Sequence, residues 1–189
     1  MPAASVPSAH RGPYTIADLE AMPDDGQRYE LIDGALHVTP PPTLLHQRVA
    51  GRLCTLLDAA AAPGLEAVGA INVRCGPDTV LVPDVVVLLS SVVDEPDCAV
   101  TAGHVALVAE VASAFSVRMD RVWKPHLYAD AGIPAYLLVE LEGSTVTWFA
   151  MAGPGGYERR GVAVGDEELL VTEPFEVRIV PAELIRRRA

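Results

Sequence analysis

Apolar and polar positions recur with two different periods along this chain, and each change of period marks a new element. Residues 16–22 carry a short apolar pattern behind Thr15, whose hydroxyl can accept an N–H of a first turn, so a short helix is predicted there. The stretch YELIDGALHVT, 29–39, holds two brief apolar runs about Asp33-Gly34. That dipeptide suits a two-residue hairpin turn, because both of its positions must reach positive φ. Three prolines at 40–42 then force an extended connection. From Thr43 the period lengthens: Leu45, Val49, Leu53, Leu56 and Leu57 fall on one helical face as far as Pro63-Gly64.

Strand patterns follow at 66–75, 79–89 and 104–112. Helical spacing resumes over 117–131 and stops at Gly132, a residue type favoured just past a helix end. Pro125 marks either a kink or a start within that segment. A buried strand is expected at 134–141, and two more, 144–150 and 157–164, flank the turn GPGG. The order is helix, three strands, helix, strand, with a hairpin before and strands after. This predicts an α/β sandwich around a mixed central sheet. With no internal repeat or low-complexity linker, residues 14–189 read as one domain and 1–13 as a loose N-terminal tail.

Two of these strands contain a residue that does not belong to their pattern. In TVLVPDVVVLLSS, 79–91, nine of thirteen residues are Val, Leu or Pro, and Asp84 sits among them. So apolar a run reads as a strand buried on both faces. There a carboxylate must recover its lost hydration from a hydrogen bond, a cation or a metal. Glu110 repeats the anomaly in VALVAEVAS. Two such carboxylates on neighbouring strands repel, and one is pushed towards its protonated form. A divalent cation between them removes both penalties. Hard oxygen ligands with no Cys/His cluster nearby favour Mg²⁺ or Mn²⁺ over zinc. Lys124, on the following helix, can bring its ammonium to the same place.

Plainer assignments stay open for each. Asp84 can bond to backbone N–H groups at the start of a strand. Glu110 can form a buried ion pair with Arg74 or Arg118. Lys124 can sit on an exposed helix face, and Tyr128 and Tyr136 can serve packing alone.

Composition removes other classes. A formal net charge of −11 over 189 residues excludes a broadly basic surface of the kind that grips nucleic acid non-specifically, though the run 186–188 is locally basic. No apolar run is long enough for a membrane span, and the N-terminus lacks the apolar core of a secretory signal. Cys54, Cys75 and Cys98 are odd in number and widely spaced, which agrees with a reducing, cytoplasmic compartment. GxSxG, HExxH and GxxxxGK[ST] motifs are absent, and His104 near Cys98 is a loop pair of no defined geometry.

Taken in order, YELIDG at 29–34, Pro83-Asp84, Glu110-Val111-Ala112-Ser113, Asp120, Lys124, Tyr128, Gly132, Pro134 and Tyr136 resemble the Uma2 family of the PD-(D/E)XK nuclease-like superfamily. The resemblance spans roughly residues 14–180. It implies a restriction-endonuclease-like αβββαβ core with a mixed central sheet, here with an N-terminal hairpin and extra C-terminal strands. It implies Asp84 and Glu110 as metal ligands, with the Val111 carbonyl as a third candidate. Lys124 is implied to supply, from the helix, the charge that the superfamily signature places two residues after the acid, where this chain has Ala112. Glu30 and His46 are further candidates near the metal, while Ser113 and Asp120 are expected to shape the loop after the strand. For Glu30 a solvent-facing position, and for His46 a role as a helix-start residue, stay open.

The function so implied is a Mg²⁺- or Mn²⁺-dependent endonuclease that hydrolyses phosphodiester bonds of DNA or RNA. The alternative is a catalytically degenerate nuclease fold acting as a binding or interaction module. A homodimer is a further expectation, because apolar hairpins offer sheet edges that need covering.

Overall fold

Thr15 caps the first helix as its position suggests. In the computed structural model, which describes residues 12–94, 99–112, 118–153 and 156–186, α1 (Ile16–Glu20) opens with a capping box. The Thr15 hydroxyl accepts the Asp18 N–H at 3.3 Å, and the Asp18 carboxylate accepts the Thr15 N–H at 2.8 Å. β1 (Arg28–Ile32) and β2 (Ala35–Thr39) form the expected hairpin, with φ of 49° at Asp33 and 75° at Gly34. α2 (Leu44–Ala60) follows Thr43, whose hydroxyl accepts the His46 N–H at 3.2 Å, and buries Val49, Leu53 and Leu57.

Two of the expected strands are each broken in two. The stretch 66–75 becomes β3 (Leu65–Val68) and β4 (Asn72–Gly76), and 79–89 becomes β5 (Thr79–Leu81) and β6 (Val85–Leu89). A bend at Gly69-Ala70 parts the first pair. Pro83, which has no N–H for a ladder, lies in the gap between the second pair. In each case the halves join different sheets. β3 and β6 pair with each other in a six-stranded sheet, and β4 and β5 pair with each other in a five-stranded one.

The remaining strands complete both sheets. β7 (Ala99–Thr101) runs parallel to β4, giving the order β2-β1-β5-β4-β7. β8 (Val105–Ala112), β9 (Ala135–Glu140), β10 (Thr145–Met151) and β11 (Tyr157–Val164) extend the other sheet as β11-β10-β9-β8-β6-β3. Its β8–β9 pair is parallel and the rest antiparallel, so the sheet is mixed. β12 (Leu169–Val171), β13 (Val177–Ile179) and α4 (Pro181–Ile185), none of them expected from the pattern, follow.

The helical segment 117–131 also differs from a plain α-helix; Val117 lies outside the described residues. A π-helical turn over Met119–Trp123 leads into α3 (Lys124–Asp130), with Pro125 in the first turn of α3. Proline is tolerated at a helix start, where its missing N–H has no partner to lose, and the widened turn before it absorbs the break. Setting aside the diverted strands, α2, β3, β6, β8, α3 and β9 follow the order αβββαβ.

Alternation along β8 divides the core. Leu107, Ala109 and Val111 share a cluster with Val49, Leu53 and Leu57 of α2. Val108 and Ala112 join Leu81, Tyr128 and Tyr136 on the other side, towards α3 and the smaller sheet. Glu110 has the parity of this second face. Past α3, Gly132 holds φ of 81°, and nothing lies within 4 Å of where its Cβ would be. Gly132→Ala should therefore lose about 1–2 kcal/mol through backbone strain alone, read as a shift of the urea midpoint with an unchanged slope. Among the described residues no helix is long and apolar enough to cross a membrane.

Candidate active site

Asp84 stands where the chain leaves one sheet for the other, and this crossing explains why a carboxylate interrupts an apolar run. Its side chain is only 2% exposed. Oδ2 accepts the Val111 N–H of β8 at 2.8 Å and lies 3.1 Å from His46 Nε2, at the start of α2. Oδ1 accepts from Arg28 Nη2 at 2.8 Å. Burial acts to raise the Asp84 carboxyl. The His46 hydrogen bond, the Arg28 charge and the Val111 N–H outweigh it and hold the group below its ordinary value.

A second cluster gathers about Lys124, the first residue of α3. Its Nζ lies 2.9 Å from Glu30 Oε1, 3.0 Å from Glu110 Oε1 and 3.8 Å from Asp120 Oδ1. All four side chains are buried. Glu30 reaches it from β1, where period-2 alternation puts Arg28, Glu30 and Ile32 on one face, and its Oε1 also accepts the Val82 N–H at 2.8 Å. Tyr128, one turn along α3 from Lys124, donates its hydroxyl to Glu110 Oε1 at 2.6 Å. Tyr136 donates to the Asp120 carbonyl at 2.6 Å, tying β9 to the π-helical turn.

Electrostatics separate the two strand carboxylates. Burial pushes Glu110 well above the ordinary glutamate value; Lys124 opposes this, and the charges of Asp120, Asp84 and Glu30 reinforce it. Lys124 is itself pulled down by burial, but Glu110, Glu30 and Asp120 more than compensate and raise it above a free lysine. Its ammonium is permanently charged at neutral pH.

Both clusters open on one cleft of about 270 Å³, lined by Arg28, Glu30, Asp84, Glu110, Asp120 and Lys124 together with His46 and the Pro40–Thr43 connection. Sequence reasoning singled out Asp84, Glu110, Lys124, Glu30, His46 and Asp120, and the fold brings these six together. Val111 is present through its N–H. Ser113 and Cys98 lie outside the described residues. The proposed partnership of Glu110 with Arg74 or Arg118 gives way to one with Lys124. Arg74 instead meets Glu20 at 3.3 Å on the surface, since alternation on β4 turns it away from β8. The exposed-helix alternative for Lys124 is likewise set aside by its burial.

Two participants were not read from the sequence. Arg28 precedes Glu30 by two in a strand, a spacing that places it on the same face. His37 lines the cleft from β2, opposite Glu30 in the hairpin register. Tyr128 stands among the motif residues with packing alone left open, and its spacing of four from Lys124 on a helix is a usable signal of a shared site.

The family model described as "Putative restriction endonuclease", Uma2, matches residues 16–183. The chain belongs to the Uma2 family. No curated protein matches it. Among solved structures, a protein of Anabaena variabilis described as a putative nuclease belonging to DUF820 is similar, with a TM-score of 0.71 at 18% identity, over 92% of this chain and 98% of that one. The likeness establishes the restriction-endonuclease-like architecture for this Uma2 chain. The Uma2 cleft thus occupies the place where the two sheets and the start of α2 meet.

Proposed function

We propose that this Uma2 protein is a nuclease that hydrolyses phosphodiester bonds of DNA or RNA with a divalent cation, Mg²⁺ or Mn²⁺. The observation that carries the reading is an imbalance of charge. Four buried carboxylates, Glu30, Asp84, Glu110 and Asp120, line one cleft with two permanent cations, Arg28 and Lys124. Fully ionised, this set carries two excess negative charges in a poorly solvated space. Such a buried set is relieved by taking up a proton, as the raised Glu110 carboxyl can, or by a bound cation.

The donors are hard oxygens, which suit Mg²⁺ or Mn²⁺. Among the described residues no three His, Cys, Asp or Glu side chains form a ready metal cluster. This agrees with carboxylates drawn onto Arg28 and Lys124. Glu110 Oε1 is engaged by Lys124 and Tyr128, and Oε2 makes no hydrogen bond among the described residues. Asp84 and Glu110 would hold the cation, with the Val111 carbonyl as a third candidate.

Such a cation, when bound, polarises a phosphate and makes a bound water more acidic. The chain's own groups do the rest. Glu30 and Asp120 hold Lys124 at the cleft wall, where its ammonium can orient a water and offset negative charge developing on the phosphorus oxygens. Tyr128 fixes the Glu110 carboxylate and thereby its free oxygen. His46 and the Val111 N–H fix Asp84 in the same way.

Isothermal calorimetry with Mn²⁺ tests the reading. Wild type is expected to bind one ion in the cleft, and Asp84→Ala and Glu110→Ala to lose binding by at least about tenfold while remaining folded. Binding that survives both substitutions rejects this site.

A further inference from the structure

Asp84 meets three donors in the cleft, and the way it is satisfied points beyond metal binding. Each carboxylate oxygen offers two lone pairs. Those of Oδ2 are taken by the Val111 N–H at 2.8 Å and by His46 Nε2 at 3.1 Å. His46 fits this role with its proton on Nε2, since its buried Nδ1 has no hydrogen-bond partner among the described residues and would be an unmet donor otherwise. Any further cation must therefore approach Asp84 through Oδ1, and Oδ1 holds Arg28 at 2.8 Å.

The two cations of the cleft are anchored very differently. Lys124 is 5% exposed and in reach of three carboxylates. Arg28 has one carboxylate, Asp84, and one carbonyl, Val82 O at 3.2 Å, and its side chain is 20% exposed at the cleft wall. Among the described residues these are the only two groups its five N–H donors engage. A guanidinium is also the cation whose planar fork matches a phosphate.

We propose that Arg28 is an exchangeable counter-ion. In the metal-free protein it neutralises Asp84. When a divalent cation takes Oδ1, Arg28 is displaced by like-charge repulsion and turns to the phosphate backbone of the nucleic acid in the same cleft. Arg28 thus competes with the metal and contacts the substrate, which makes it a substrate-binding residue and couples metal loading to phosphate capture. The inference rests on the metal reading given above.

The two roles predict opposite signs for one substitution. Arg28→Met keeps the side-chain stem and removes the charge. It should bind Mn²⁺ about tenfold more tightly than wild type by calorimetry, because the competing cation is gone. In saturating Mn²⁺ it should bind a fluorescein-labelled phosphorothioate DNA, which resists hydrolysis, about tenfold more weakly by anisotropy. Arg28→Lys retains charge without the fork, so Mn²⁺ affinity should stay near wild type and DNA binding should still fall; this variant decides the matter if Arg28→Met does not fold. Mn²⁺ affinity unchanged or weakened in folded Arg28→Met overturns the exchange, as does undiminished DNA binding in either variant. Mn²⁺ binding that survives Asp84→Asn, or is absent from both wild type and Arg28→Met, overturns the underlying metal site instead.

Discussion

Lys124→Met is expected to cost about 3–5 kcal/mol of folding stability, measured by urea unfolding at neutral pH with chelator present. The methionine is close to lysine in shape, so packing against Tyr128 and Glu30 is largely kept. What is lost is the counter-charge. Glu30, Glu110 and Asp120 remain buried about a position that held an ammonium within 3.8 Å of each. Removing one partner of a buried pair leaves the others uncompensated, and here three are left. The carboxylates regain part of the loss by taking up protons, so the deficit should shrink as the pH is lowered. The proposed nuclease activity in Mg²⁺ should fall on the order of 10²-fold or more, the scale for losing a positioned charge from a dry site. A loss of stability below about 1 kcal/mol, the size seen for exposed pairs, would show that Lys124 is not the counter-ion its burial indicates.

Glu110→Gln should have the opposite effect on stability and the same effect on function. Glutamine keeps an acceptor for the Tyr128 hydroxyl and for Lys124, and Lys124 retains Glu30 at 2.9 Å. Burial, with the neighbouring carboxylates and against the pull of Lys124, holds the Glu110 carboxyl well above its ordinary 4.5. The folded protein therefore holds that proton more tightly than the unfolded chain. The stability this contributes is complete below pH 4.5 and is lost as the pH rises through the folded-state value. Asp84 acts in the opposite sense: its carboxyl is depressed, so its contribution is present above its ordinary 3.8 and is lost on acidification.

At neutral pH, in chelator, Glu110→Gln should be more stable than wild type by about 1 kcal/mol, with the advantage growing as the pH rises from 4.5. Mn²⁺ binding should be lost in the same variant. Melting curves at a series of pH values measure both trends, and a wild-type and variant pair that stay parallel across the series would contradict the assignment. A site that gains stability when disabled is expected where charges are gathered for a ligand.

Much of the fold was legible in residue order because its signals are local. A capping hydroxyl at Thr15, a positive-φ turn at Asp33-Gly34 and the 3.6-residue spacing of Val49, Leu53 and Leu57 each depend on residues within a few positions. The broken strands were not legible from period alone. A run such as 79–89 has the same apolar composition whether it stays in one sheet or crosses between two, and Pro83 was read as the start of a motif when it also parts two strands. The π-helical turn before Pro125 was half visible: the proline required a start or a kink, but the widened turn, closed by the Lys124 N–H on the Met119 carbonyl, leaves no mark in the apolar spacing.

The residues of the site follow the same division. Asp84 and Glu110 were visible as carboxylates in apolar runs because desolvation makes such residues costly wherever the chain folds. Their partners were not visible, since Arg28 is 56 positions from Asp84 and Lys124 is 14 from Glu110. Residue order by itself determined where the capped helices and the hairpin form and which side chains must find a counter-charge, because propensity and desolvation act on the residue where it stands. Only the tertiary structure decided that Arg28 meets Asp84 and Lys124 meets Glu110, Glu30 and Asp120, because pairing depends on which distant strands the sheets bring side by side.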